Sequence, residues 1–168
     1  SAHHCRSVDR CPHLGNMSRT DNKEEVILAA TAVLSDAKVA PELENEARHY
    51  RAKALVDVNQ LSHAVEDWQV LAQDTRNVYG AEAKYQLAQY LFNAGKTAEA
   101  EKEVLNYLEV STPHAYWLAR SFVLLSDIYA KLDRKLEARQ YLLSLKQNYQ
   151  ADDDIAGMIE SRLEKLNE

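Results

Sequence analysis

The sequence predicts an all-α fold, a stack of antiparallel helix pairs closed by a C-terminal capping helix. Three observations predict it. Gly and Pro are sparse, four and three in 168 residues, and helices tolerate few of either because Gly costs backbone entropy and Pro removes a hydrogen-bond donor. Apolar residues recur at spacings of three and four, which puts them on one helical face. One pattern also returns at a nearly fixed interval along the chain.

That interval is marked by alanines. Ala64, Ala100 and Ala138 lie 36 and 38 residues apart, and Val26 stands 38 residues before the first. Residues 46–64 and 82–100 superpose without gaps. Each reads Glu-Ala, a basic residue (Arg48, Lys84), a small residue (Ala52, Ala88), Leu55 or Leu91, a turn residue (Asn59, Gly95), then the marker alanine. A third copy supplies Ser126, Tyr129, Asp133 and Ala138. The small residues let the two helices of a pair approach closely. Asn59, Gly95 and Asp133 fall where the first helix must stop, and these residue types tolerate a left-handed helix C-terminus. Trp68, Val104 and Leu142, then Leu71, Tyr107 and Leu145, continue the apolar face of the second helix.

Taken in order, the helices are expected near residues 22–36, with Val26, Ala30 and Val33 inward, then 41–58, 61–74, 79–94 and 97–110. Thr112-Pro113 reads as an N-cap with Pro at the first helical position, opening a helix over 113–132. Tyr116 and Trp117 fall in an extra turn implied by the 38-residue spacing. They are expected to pack on the preceding second helix near Tyr107 and Leu108, or otherwise to form an exposed aromatic patch. A helix over 135–148 follows. The last helix, 153–167, carries Ile155, Met158, Ile159, Leu163 and Leu166 on one stripe, as the final element of a stack requires. The run Asp152–Asp154 reads as its N-cap rather than as a calcium loop. Residues 1–21 are expected to be irregular, because Pro12 and Gly15 oppose a helix there. The apolar face of helix 22–36 is then left partly uncovered. This divides the chain into an irregular segment 1–21, repeats over 22–150 (one partial, three full) and a capping helix 151–168.

The charge balance narrows the partners. A formal net charge of −6 argues against nucleic acid, whose phosphates want a basic face, and against an anionic membrane surface. No apolar run is long enough to span a bilayer. The sequence has neither an initiator Met nor a signal peptide and is expected to be a fragment of a longer chain. Cys5 and Cys11 are the two cysteines. With His3, His4 and His13 they form a cluster of zinc-type ligands whose separations do not match common finger spacings. A metal-dependent activity built there is one alternative function, and a Cys5–Cys11 disulfide another use of the same residues. His49, His63 and His114 are scattered, with no partner at a spacing that suggests a nucleophile or base. His114 reads as a surface residue. Phosphate loops, nucleophile elbows and paired-His metal helices are missing from the sequence. No catalytic residue and no cofactor are expected, and Glu99, Glu101 and Glu103 read as a solvated face.

The helix with Leu, a small residue and an aromatic, followed by a turn and Ala-x-x-x-large apolar, resembles the tetratricopeptide repeat. The resemblance covers roughly residues 23–150 and is strongest at Leu87-Ala88 with Leu91 and at Leu125-Ser126 with Tyr129. Repeat two departs from the pattern, with Arg51 where Leu is expected. The resemblance implies a right-handed superhelix acting as a non-catalytic scaffold that binds a protein or peptide. It places the partner on the concave face formed by the first helices, at His49, Lys53 and Val56, then Tyr85, Gln89 and Phe92, then Arg120, Val123, Asp127 and Lys131. Glu46 and Glu82 lie on the same face. A carboxylate clamp of the kind that reads chaperone tails is disfavoured, since Lys53 and Gln86 occupy its Asn positions. Residues 111–122 also resemble closing repeats of long bacterial envelope proteins, which implies an envelope or periplasmic location. Self-association through the incomplete first repeat is a further alternative.

Overall fold

A computed structural model of the chain describes residues 22–110 and 112–168. They form eight α-helices and no strand: α1 Lys23–Leu34, α2 Pro41–Asp57, α3 Leu61–Leu71, α4 Val78–Asn93, α5 Thr97–Glu109, α6 Ala115–Lys131, α7 Lys135–Asn148 and α8 Ile155–Leu166. The chain divides into two compact units, residues 1–74 and 75–168. The expected irregular segment 1–21, with Cys5, Cys11 and the three histidines beside them, lies outside the described residues.

Unit 1 packs α1 on α2 and α2 on α3. Asn22 caps α1 by accepting the Glu25 N–H, and Pro41 starts α2 where its missing N–H has no helical partner in any case. Val26 and Ala30 of α1 are buried with Leu43, Ala47 and Ala54 of α2. The α3 helix stops three residues short of its expected end. After Ala72 the bonds tighten to Gln73 N–H on the Val70 carbonyl and Asp74 N–H on the Leu71 carbonyl, a single tight turn that cannot continue an α-helix.

Unit 2 packs α4 on α5, both on α6, α6 on α7, and α8 against α7 and α6. One core joins Tyr85, Ala88, Ala100, Val104, Leu124, Leu125, Ile128, Tyr129 and Ala138. A second joins Ala119, Val123, Leu142 and Leu145 to Ile155 and Ile159 of α8, so the apolar stripe of the last helix does cover the last pair.

The repeat register is written most clearly in the turns within each pair. Asn59, Gly95 and Asp133 adopt φ of 61°, 81° and 59°. After each of them the next N–H reaches back five residues, Gln60 to Leu55, Lys96 to Leu91 and Arg134 to Tyr129, at 2.8–2.9 Å. The left-handed residue itself bonds three back, to Val56, Phe92 and Ala130. This paired bonding satisfies two orphan carbonyls at each helix end. Ala52, Ala88 and Ser126, like Ala64, Ala100 and Ala138, are all buried.

Two expectations around Thr112 are corrected. Helix α6 begins at Ala115, not at 113. The Thr112 hydroxyl is already engaged, accepting the His114 N–H and donating to the Thr75 carbonyl. His114 is therefore not a plain surface residue: its ring Nε2 lies 2.8 Å from the Arg76 carbonyl oxygen. The longer spacing is absorbed only in part where expected. Helix α6 has 17 residues against 16 in α4, and helix α5 has 13 against 11 in α3, so both helices lengthen, and Tyr116 and Trp117 belong to the first turn of α6.

Candidate functional site

The face expected to meet a partner belongs to first helices, one of them in unit 1 and two in unit 2. In unit 1 it comprises His49, Lys53 and Val56 on α2. Lys53 and Val56 are exposed, and the His49 ring meets Tyr50 edge-on at 5.0 Å between centroids.

In unit 2, α4 carries Tyr85, Gln89 and Phe92, while α6 carries Arg120, Val123, Asp127 and Lys131. The i, i+4 spacing along α4 sets up a ladder: Tyr85 donates its hydroxyl hydrogen to Gln89 Oε1, and Gln89 Nε2 donates to Asn93. Arg120 feeds its start, donating through Nη2 to the Tyr85 hydroxyl at 2.7 Å and through Nη1 to the Tyr116 hydroxyl at 3.1 Å. Its guanidinium lies 4.7 Å from the Tyr85 ring centroid and 5.9 Å from those of Tyr116 and Trp117. Partial burial works against the charge on Arg120. Its hydrogen bond to Tyr116 and its contacts with Tyr85 outweigh that and hold its pKa above the usual arginine value. Burial likewise pushes the Tyr116 phenol up. At the other end of the two helices, Lys131 Nζ sits 5.2 Å from the Phe92 centroid.

Not every residue of the expected face offers surface. Tyr85 is 5% exposed and Val123 2%, and both belong to the cores described above. Phe92 packs partly on the first of those cores. Asp127 is bound by both arms of Arg162 from α8, at 2.9 and 3.1 Å. Tyr116 and Trp117 part company. Trp117 packs, as Leu108 does, against the α4–α6 core, and its ring lies 5.6 Å from that of Tyr85 on α4. Tyr116 instead turns towards α8, donating to the Asp154 carboxylate.

Three participants escaped the sequence reading. Asn93 ends the amide ladder, and its i+4 spacing from Gln89 was a visible signal. Arg162 as the partner of Asp127 depends on how α8 docks, 35 residues away in sequence, and no local pattern carries that. The third is Tyr116 as a ligand of Arg120, which the i, i+4 spacing could have suggested. Among the described residues no group of three His, Cys, Asp or Glu is placed to hold a metal ion, and no helix is long and apolar enough to cross a membrane. Comparison of the chain with known proteins found no matching family model, no matching curated protein and no matching solved structure.

Proposed function

We propose that the chain is a non-catalytic, tetratricopeptide-like scaffold module that binds a protein or peptide partner on its first-helix face. The observation that carries this reading is the register: three helix pairs end their first helix in the same left-handed turn and bury small residues at the same positions. Within unit 2, α4 packs on α6 and presents equivalent positions of two first helices side by side, and such arrays serve as recognition surfaces. The polar and aromatic groups on α4 and α6 are of types favoured in recognition.

The test is retention of a partner from native lysate by the intact chain and by a Gln89→Ala/Lys131→Ala double variant. These two positions are chosen because neither side chain is part of a buried core. Loss of the partner with unchanged helicity by circular dichroism is the expected outcome. Undiminished retention would move the partner to another surface. Self-association is a second reading, favoured by Leu28 on α1, which is 71% exposed. Light scattering that returns the monomer mass at all concentrations rules it out.

A further inference from the structure

Two cations of α6 rest on aromatic rings and pair with no carboxylate among the described residues, whereas Arg134, which also lies over a ring, that of Tyr129, pairs with Glu137. Arg48, Arg51, Arg134 and Arg162 all pair with an Asp or Glu. Arg120 has phenol oxygens as its hydrogen-bond partners, and Lys131 lies over Phe92. A guanidinium has five N–H donors, and the two phenols occupy only part of them. Partial burial has stripped some of its water, while its hydrogen bonds to the two phenols hold it in orientation. A desolvated, pre-oriented fork of this kind favours a carboxylate.

The two stations are related by helix geometry. Eleven residues make three turns within about 20°, with a rise of about 16 Å, so Arg120 and Lys131 share one face of α6. The acidic residue between them on that face, Asp127, is neutralised by its two-armed pairing with Arg162. Alongside, on α4, run the side-chain amides of Gln89 and Asn93. Side-chain amides can both donate and accept, which suits the unpaired backbone groups that only an extended segment offers.

We propose that Arg120 and Lys131 form a two-point reader for an extended acidic segment of a partner protein, its two carboxylates spaced to match. At about 3.3 Å per residue the span covers about five positions, and because successive side chains of an extended segment alternate faces, the two acids that meet one face stand about four or six positions apart. The inference rests on the first-helix face being the partner face, and it names the chemistry read there.

The probe is a pool of short peptides with two glutamates fixed about four or about six positions apart and the remaining positions randomised, against an otherwise identical pool carrying glutamines. The intact chain should retain the glutamate pool about tenfold better, a difference of the size one charge-assisted contact supplies. Arg120→Gln and Lys131→Gln should each reduce that preference. Lys131 is exposed, so its variant reports on binding even if Arg120→Gln disturbs the fold. Equal retention of the two pools by the intact chain overturns the proposal. If that equal retention is abolished by Gln89→Ala/Asn93→Ala, the acidic reader is wrong and the first-helix face survives; if it persists in those variants too, both readings fall.

Discussion

Asp67 is fully buried between α2 and α3, where Arg51 holds it with two hydrogen bonds and Arg48 with a third. Arg51 also reaches back to Thr31 of α1. The departure of repeat two from the repeat pattern at Arg51 thus has a local cause: its second helix carries a buried carboxylate. The equivalent positions elsewhere solve the same contact differently. Lys84 and Glu103 pair at 2.7 Å, and Phe122 meets Tyr141 ring to ring at 6.0 Å. Asp67→Asn should cost about 3–5 kcal/mol, because it leaves two arginines without their buried counter-charge. Replacing the whole set with that of the last pair, Arg48→Phe, Arg51→Leu and Asp67→Tyr, should recover most of the loss. Urea unfolding midpoints check both.

Two tyrosines are pushed up to about 12. Burial, with further upward pushes from Glu101 and Tyr141, raises Tyr129 to about 12. Burial and the hydrogen bond to Asp153 raise Tyr149 to about 12. In the unfolded chain a tyrosine titrates near 10. Between these values the folded state holds protons that the unfolded state has lost, so stability falls as pH rises from about 10 to about 12. The phenolate absorbance of Tyr129→Phe and Tyr149→Phe variants should each lack one late-titrating group. Stability in Tyr149→Phe should fall less steeply over that window.

At the scale of the element, the helix ends separate what sequence alone reveals from what it hides. Asn59, Gly95 and Asp133 were legible because a left-handed turn demands particular residue types, and the demand is local. The start of α6 was not. Thr112 looked like a cap, and its hydroxyl does accept an N–H two residues on, but that N–H belongs to His114, outside the helix and tied through its ring to a main-chain oxygen 38 residues earlier, a tertiary tie no local rule registers. The Asp152–Asp154 run behaves similarly. Asp153 accepts the Ile155 N–H as a capping residue should, while Asp154 is diverted to Tyr116. The turns also support a substitution test. Gly95→Ala should destabilise by about 1 kcal/mol, since the cost is backbone conformation, and a Cβ there would meet no atom within 4 Å. Asp133→Gly should stabilise by about 0.5–1 kcal/mol, relieving both the left-handed strain and a negative charge at a helix C-terminus. Thermal melts of the two variants should shift in opposite directions.

At the scale of the whole molecule, repetition made the helices and their buried faces legible. What binds to the assembly is a property of its surface, where Arg120 acquires its meaning from rings on its own helix and on α4, and Lys131 from a ring on α4. The closing role of α8 belongs to this scale. It covers Ala119, Val123, Leu142 and Leu145 with Ile155 and Ile159, and ties itself down through Arg162 and Asp154. Ending the chain at Gln150 should expose those four apolar side chains together. The expected result is a lower urea midpoint and concentration-dependent association by light scattering, because a newly bared apolar patch of that size invites self-contact.

The clasp formed by Thr112 and His114 has a consequence for how the sequence can drift. Both side chains close on main-chain oxygens, those of Thr75 and Arg76. Every residue type supplies such an oxygen, so the receiving half of the clasp is indifferent to which side chains stand at 75 and 76. The giving half is not, for only a hydroxyl at 112 and a ring nitrogen or similar donor at 114 can make it. Substitutions are therefore filtered on one side of the joint and pass freely, as far as the clasp is concerned, on the other. One loop can vary its outward chemistry while the next keeps it in place.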